Sequence, residues 1–177
     1  MHNNFAIGLA AIALATPCAA ETISKCNGFE APVIDPQAGI AAARSPDNRI
    51  VSIIYSKLVV ESAPGKSGAN SVSQSLTLPL APGGCEARVL VFVRGLCTAR
   101  HVNTAGPKIW FGWAGAGREF KPKCSARGED YIVQFTAPAK SAGEMKLNAG
   151  AALVKSSSDT LLTVDTIDLS LVPRHER

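Results

Sequence analysis

Trp110 and Trp113 are the only tryptophans of this 177-residue chain, and both fall within Ile109-Trp-Phe-Gly-Trp-Ala-Gly-Ala-Gly117. A flat indole flanked by small side chains can stack on the apolar face of a sugar ring, which makes both residues candidate ligand contacts. In an extended strand Trp110 points away from the side shared by Ile109, Phe111 and Trp113. If the Ile109 side is core, Trp110 faces solvent and Trp113 sits at the end of the strand. The competing assignment is plain packing, the commoner fate of a tryptophan.

Reactive chemistry is poorly represented. Beyond residue 20 the histidines are His101, in a polar Arg100-His-Val-Asn103 loop, and His175, in the C-terminal tail. No Gly-x-Ser-x-Gly elbow and no His-Glu-x-x-His helix motif occurs, so neither a serine nucleophile nor a zinc hydrolase has its signature. The expectation is a protein that binds and is not an enzyme.

Four cysteines follow residue 20: Cys26, Cys85, Cys97 and Cys124. An even number in an exported chain reads as two disulfides with three possible pairings, and no Cys-x-x-Cys suits a zinc site. Cys85 and Cys97 bracket an apolar run. Nearly extended, that run would hold them roughly 40 Å apart, whereas bridged Cα atoms lie about 5.5–6 Å apart. That pair is the least compatible. A simple up-down-up meander places Cys85 and Cys124 at one end and favours Cys85–Cys124 with Cys26–Cys97.

Export itself is read from the N-terminus. Phe5 to Thr16 is an apolar stretch too short to span a bilayer, followed by Pro17-Cys-Ala-Ala20 with small residues suited to cleavage after Ala20. Residues 1–20 are expected to be a signal peptide and 21–177 a single domain, periplasmic or secreted, with no membrane span. The formal charge is +4, and its basic residues are scattered, with Lys121-Pro-Lys123 the tightest group. Such a distribution argues against a nucleic-acid partner and leaves room for an acidic polymer.

The elements that must position these residues read as strands. Arg49 to Val60 is rich in β-branched residues. Ser71 to Leu80 alternates, with Val72, Gln74, Leu76, Leu78 and Leu80 on one side. Ala87 to Arg94 is apolar enough for a central strand. Further strands are expected at Lys108–Trp113, Asp130–Phe135, Glu144–Leu147 and Leu161–Leu171, the last with Asp165 as a charged intruder on the Ile167 side. Ala38 to Ala43 is the one tempting helix. Seven or eight strands punctuated by Gly and Pro point to an all-β antiparallel β-sandwich, a jelly roll.

Three segments, in order, carry a family likeness. They are Asn27-Gly-Phe-Glu-Ala-Pro32; Ser73-Gln-Ser-Leu-Thr-Leu-Pro79 with Ala87-Arg-Val-Leu-Val-Phe-Val-Arg-Gly95; and Tyr131-Ile-Val-Gln-Phe-Thr-Ala-Pro138 with Val164-Asp-Thr-Ile-Asp-Leu-Ser-Leu171. Together they resemble the opening, middle and closing strands of carbohydrate-binding modules of the family 4/9 type. The resemblance implies a galactose-binding-like jelly roll with a glycan as partner. It also implies a structural Ca²⁺ held by Glu30 of the opening motif and Asp165 of the closing strand. The chemistry is sound, since calcium takes six to eight oxygens and two carboxylates plus carbonyls can supply them. The other reading of the same fold is a structural or adaptor protein of the cell envelope, acting through protein–protein contacts.

Overall fold

The computed structural model describes residues 28–62, 70–80, 87–99, 106–113, 116–138, 143–153 and 159–173. Eleven strands run through them: β1 (Ile40–Arg44), β2 (Ile50–Tyr55), β3 (Val59–Ser62), β4 (Asn70–Leu80), β5 (Ala87–Ala99), β6 (Lys108–Trp113), β7 (Ala116–Phe120), β8 (Glu129–Pro138), β9 (Gly143–Leu153), β10 (Thr160–Thr163) and β11 (Thr166–Pro173). They form two antiparallel sheets, as the alternation predicts. The smaller has the order β4-β9-β6-β7, and the larger holds seven strands with β5 at its centre. β5 pairs with β11 and then β10 along one edge and with β8 along the other.

Alternation decides which face of each strand is buried. Leu76 and Leu78 of β4, Ile109 and Phe111 of β6, and Leu147 and Ala149 of β9 meet Val51, Ile53, Val91, Leu162, Ile167 and Leu169 of the larger sheet in one core. Each fully buried aliphatic side chain contributes about 1.5–3 kcal/mol. Together they hold the sheets face to face.

Two expected strands are interrupted. Arg49–Val60 divides into β2 and β3, and Leu161–Leu171 into β10 and β11. On β5, Arg94 faces Thr166 and Cys97 faces Leu162, so four steps on the partner answer three on β5. The extra residue is a β-bulge. It shifts the alternation, so that Leu162 and Val164 are buried before it and Ile167 and Leu169 after it. Asp165 is therefore exposed in the bulge, and not on the Ile167 side as the continuous pattern predicts. The freed backbone groups find partners. Asp165 N–H donates to the Arg94 carbonyl at 2.9 Å, Leu96 N–H to Thr163 Oγ1 at 3.0 Å, and Tyr131 Oη to the Thr163 carbonyl.

Ala38 to Ala43, the one stretch that tempts a helix assignment, ends in β1. Pairing with β2 from Ile40↔Tyr55 to Arg44↔Val51 outweighs the helix preference of three alanines. β7 was absent from the sequence expectation because a short run opening Ala-Gly carries no β-branched residue. Residues 28–33 lie along the edge of β4, with Phe29 bridging Leu80 and Val33 bridging Thr77.

The disulfide pairing is a correction. Cys97 is bonded to Cys124 with a Cα separation of 4.8 Å, not to Cys26 as the meander favoured. The reason is topological: Ala99 N–H donates to the Ser125 carbonyl, and Thr98 bridges Ser125 in parallel, so the chain after β7 returns beside the end of β5. Cys26 and Cys85 lie outside the described residues, as do residues 1–20, His101 and His175.

Candidate functional site

The solvent face of the four-stranded sheet carries the chemistry. Register aligns its outward residues in rows. Ser73 of β4, Gly150 of β9, Trp110 of β6 and Glu119 of β7 form one; Ser75, Asn148, Gly112 and Gly117 form the next. Ile109 and Phe111, the neighbours of Trp110, point into the core. Trp110 therefore stands on the outer face, half-buried.

What half-buries it is Gly150. A β-carbon placed on Gly150 would lie 2.1 Å from Trp110 Cζ2 and 2.2 Å from Cε2, so the indole occupies the space any other residue would need. A glycine inside a strand commonly marks such a close approach. On its other side Trp110 faces Glu119, whose Oε1 lies 2.8 Å from Lys108 Nζ. In the next row Ser75 Oγ donates to Asn148 Oδ1 at 2.5 Å. Gly112 and Gly117 leave the backbone bare, with open space above Gly117. The result is one aromatic surface beside a floor without side chains, rimmed by hydroxyl, amide, ammonium and carboxylate groups. Such a surface stacks an apolar ring face and hydrogen-bonds the polar edges of the same ligand.

Trp113 does not join it. Its side chain is 1 % exposed, its ring stacks with Phe111 at 6.5 Å, and Nε1 donates to the Pro138 carbonyl at 3.0 Å. With its faces in the core and its N–H satisfied, Trp113 has nothing left for a ligand. The expectation of a contact there is corrected to a packing role. Phe111, Phe120 and Phe135 continue this aromatic cluster, and the Arg118 guanidinium lies 5.5 Å from the Phe135 ring centroid.

Glu30 and Asp165 are not brought together either. Glu30 N–H donates to the Pro79 carbonyl and Phe29 N–H to that of Asn48, at the start of β2. The Asp165 carbonyl accepts from Tyr55 N–H at the far end of β2. Six extended residues separate those ends by roughly 20 Å. Both carboxylates are exposed. Asp165 instead neighbours Tyr131, whose phenol is pushed above its usual pKa by burial and additionally by that carboxylate.

The sequence did not point to Gly150 or to the Lys108–Glu119 pair. The signal for Gly150 is its position among small residues, Asn148-Ala-Gly-Ala-Ala152, within an extended run.

No protein-family model matches the chain, and no curated protein matches it. Among solved structures, one similar fold lies in dimeric latent PorU from Porphyromonas gingivalis, at TM-score 0.40 and 12% identity over 65% of this chain. This chain spans 12% of the length of that one. A second is TmCBM61, solved in complex with β-1,4-galactotriose, at TM-score 0.30 and 11% identity over 85% of this chain and 92% of that one. Similarity at this level leaves the site's own geometry to carry the functional reading.

Proposed function

We propose that this chain is an exported, non-catalytic binding domain whose four-stranded sheet receives a carbohydrate, with Trp110 as the stacking platform. The observation that carries the reading is the Trp110 indole lying across Gly150 on the solvent face, between a polar row and an ion pair. Ser73, Ser75, Asn148, Lys108 and Glu119 supply the hydrogen-bonding groups that fix a sugar's hydroxyls. The apolar Phe5–Thr16 segment and the Cys97–Cys124 disulfide support export to an oxidising compartment.

Fluorescence tests this reading cheaply, because one tryptophan is buried and the other is not. A soluble quencher should reach Trp110 alone, and a bound glycan should protect that same fraction of the emission. Sugars that leave quenching unchanged across a broad panel would count against the platform.

A second reading, a protein-contact module, is favoured by the outer face of the larger sheet. There Ile50, Ile54, Ile132 and Val172 are exposed, Ile132 by 65 %. Its measurement is co-purification with an envelope protein that is lost on Ile132→Ser and kept on Trp110→Ala.

A further inference from the structure

We infer that the ligand of the Trp110 face is an acidic glycan, a chain bearing uronate carboxylates, lying along β6 and β9. The inference rests on the glycan-binding reading and adds the charge of the ligand and its direction.

The described charged side chains that register sets on this face are Lys108, Lys146 and Glu119. Lys108 is answered by Glu119. Continuing the β6–β7 register one step past Ile109↔Phe120 sets Lys121 opposite Lys108, beyond the end of β7. Lys121 and Lys123 are exposed, and neither has an ion-pair partner among the described residues. Cys124, next in the chain, is disulfide-bonded to Cys97 of β5, so the chain crosses to the larger sheet directly after Lys123, and Lys121 is the lysine of this segment that register sets beside the face. At the other end Lys146 of β9, opposite Thr77, is exposed and likewise without an ion-pair partner among the described residues.

The two cationic ends are separated along the strands. Lys108 pairs with Ala152, which lies six steps along β9 from Lys146, about 20 Å of extended chain. Trp110 and the bare Gly112 lie between them. A ring stacked on Trp110 would therefore extend towards a lysine in either direction, and a polymer with a carboxylate on each ring satisfies both ends at once. The cations are lysines, strongly hydrated point charges, whose match is the compact carboxylate and not the diffuse charge of a sulfate ester.

The test measures binding of the oxidised full-length protein to polygalacturonate, to a neutral glucan and to a sulfated galactan, each at low and at moderate salt. The expected result is retention on polygalacturonate that weakens as salt rises. Lys121→Gln and Lys146→Gln should each lower affinity about two- to fivefold. Arg88→Gln, on the outer face of the other sheet, should change nothing, which separates a site from general electrostatics. Preference for the neutral glucan with both lysine variants unaffected overturns the acidic-ligand inference and leaves glycan binding standing. Preference for the sulfated galactan overturns the carboxylate assignment. Failure of the folded protein to bind any of the three removes the glycan reading itself.

Discussion

Trp110 and Gly150, forty residues apart in the chain, face each other across β6 and β9, and the indole covers the glycine Cα. Each residue explains the other: the glycine makes room for the ring, and the ring covers backbone that would otherwise meet water. Gly150→Ala should therefore displace the indole and destabilise the fold by about 1–3 kcal/mol. Trp110→Ala should cost about 1–2 kcal/mol of packing. Both variants should remain folded and both should lose ligand. Chemical denaturation with a binding assay checks this, and full binding by Gly150→Ala would show that the ring's seat on Gly150 does not matter.

The two buried tyrosines should behave in opposite ways when shortened to phenylalanine. Tyr131 Oη donates to the Thr163 carbonyl at the bulge, so Tyr131→Phe leaves that carbonyl unsatisfied and costs about 1–2 kcal/mol. Tyr55 Oη has no hydrogen-bond partner among the described residues, so Tyr55→Phe should be neutral or stabilising. Urea midpoints at neutral pH distinguish the two, and equal losses would contradict the account of the bulge.

Alkaline pH acts through the same pair. Burial pushes both phenols above their ordinary value of 10.0, with Asp165 adding to the effect at Tyr131. The unfolded chain releases these protons near pH 10 while the folded one keeps them. Their contribution is thus fully present below about pH 10 and is lost as pH rises beyond it, by about 1.4 kcal/mol per pH unit for each tyrosine. Tyr131→Phe should make that decline shallower. A wild-type unfolding free energy that stays level through pH 10 would contradict the shifted phenols.

Peptide mapping without reductant should recover Cys97 joined to Cys124, closing a loop with a sequence separation of 27 and stabilising by about 3–4 kcal/mol. A Cys26–Cys97 peptide would contradict the return of the chain beside β5.

A strong chelator should leave the thermal midpoint unchanged to the extent that calcium depends on Glu30 and Asp165, because β2 stands between them. A fall in the midpoint that Glu30→Gln or Asp165→Asn reproduces would show that the two carboxylates act on one ion after all.

Where local pattern alone determines structure, the sequence was legible. The alternation of β4, the apolar run of β5 and the bounds Lys108–Trp113 of β6 all emerge from period two. That pattern also places Trp110 outward once Ile109 is core. What it misses depends on partners distant in the chain. The bulge at Asp165 exists because β5 keeps its register while β10 and β11 do not. β1 is a strand because β2 lies beside it, and Cys97 meets Cys124 because the chain returns from β7. The site divides the same way. Trp110 was visible as a chemical type, while Gly150 and the Lys108–Glu119 pair became neighbours only through the order β9-β6-β7.

A glycan array probed with the oxidised protein and with Trp110→Ala tests the central claim most directly. Carbohydrate recognition through this face predicts specific, reproducible binding by the parent protein, reduced on the order of tenfold in a variant that is folded by circular dichroism. A blank array from folded parent protein, or a hit that Trp110→Ala retains in full, would contradict it.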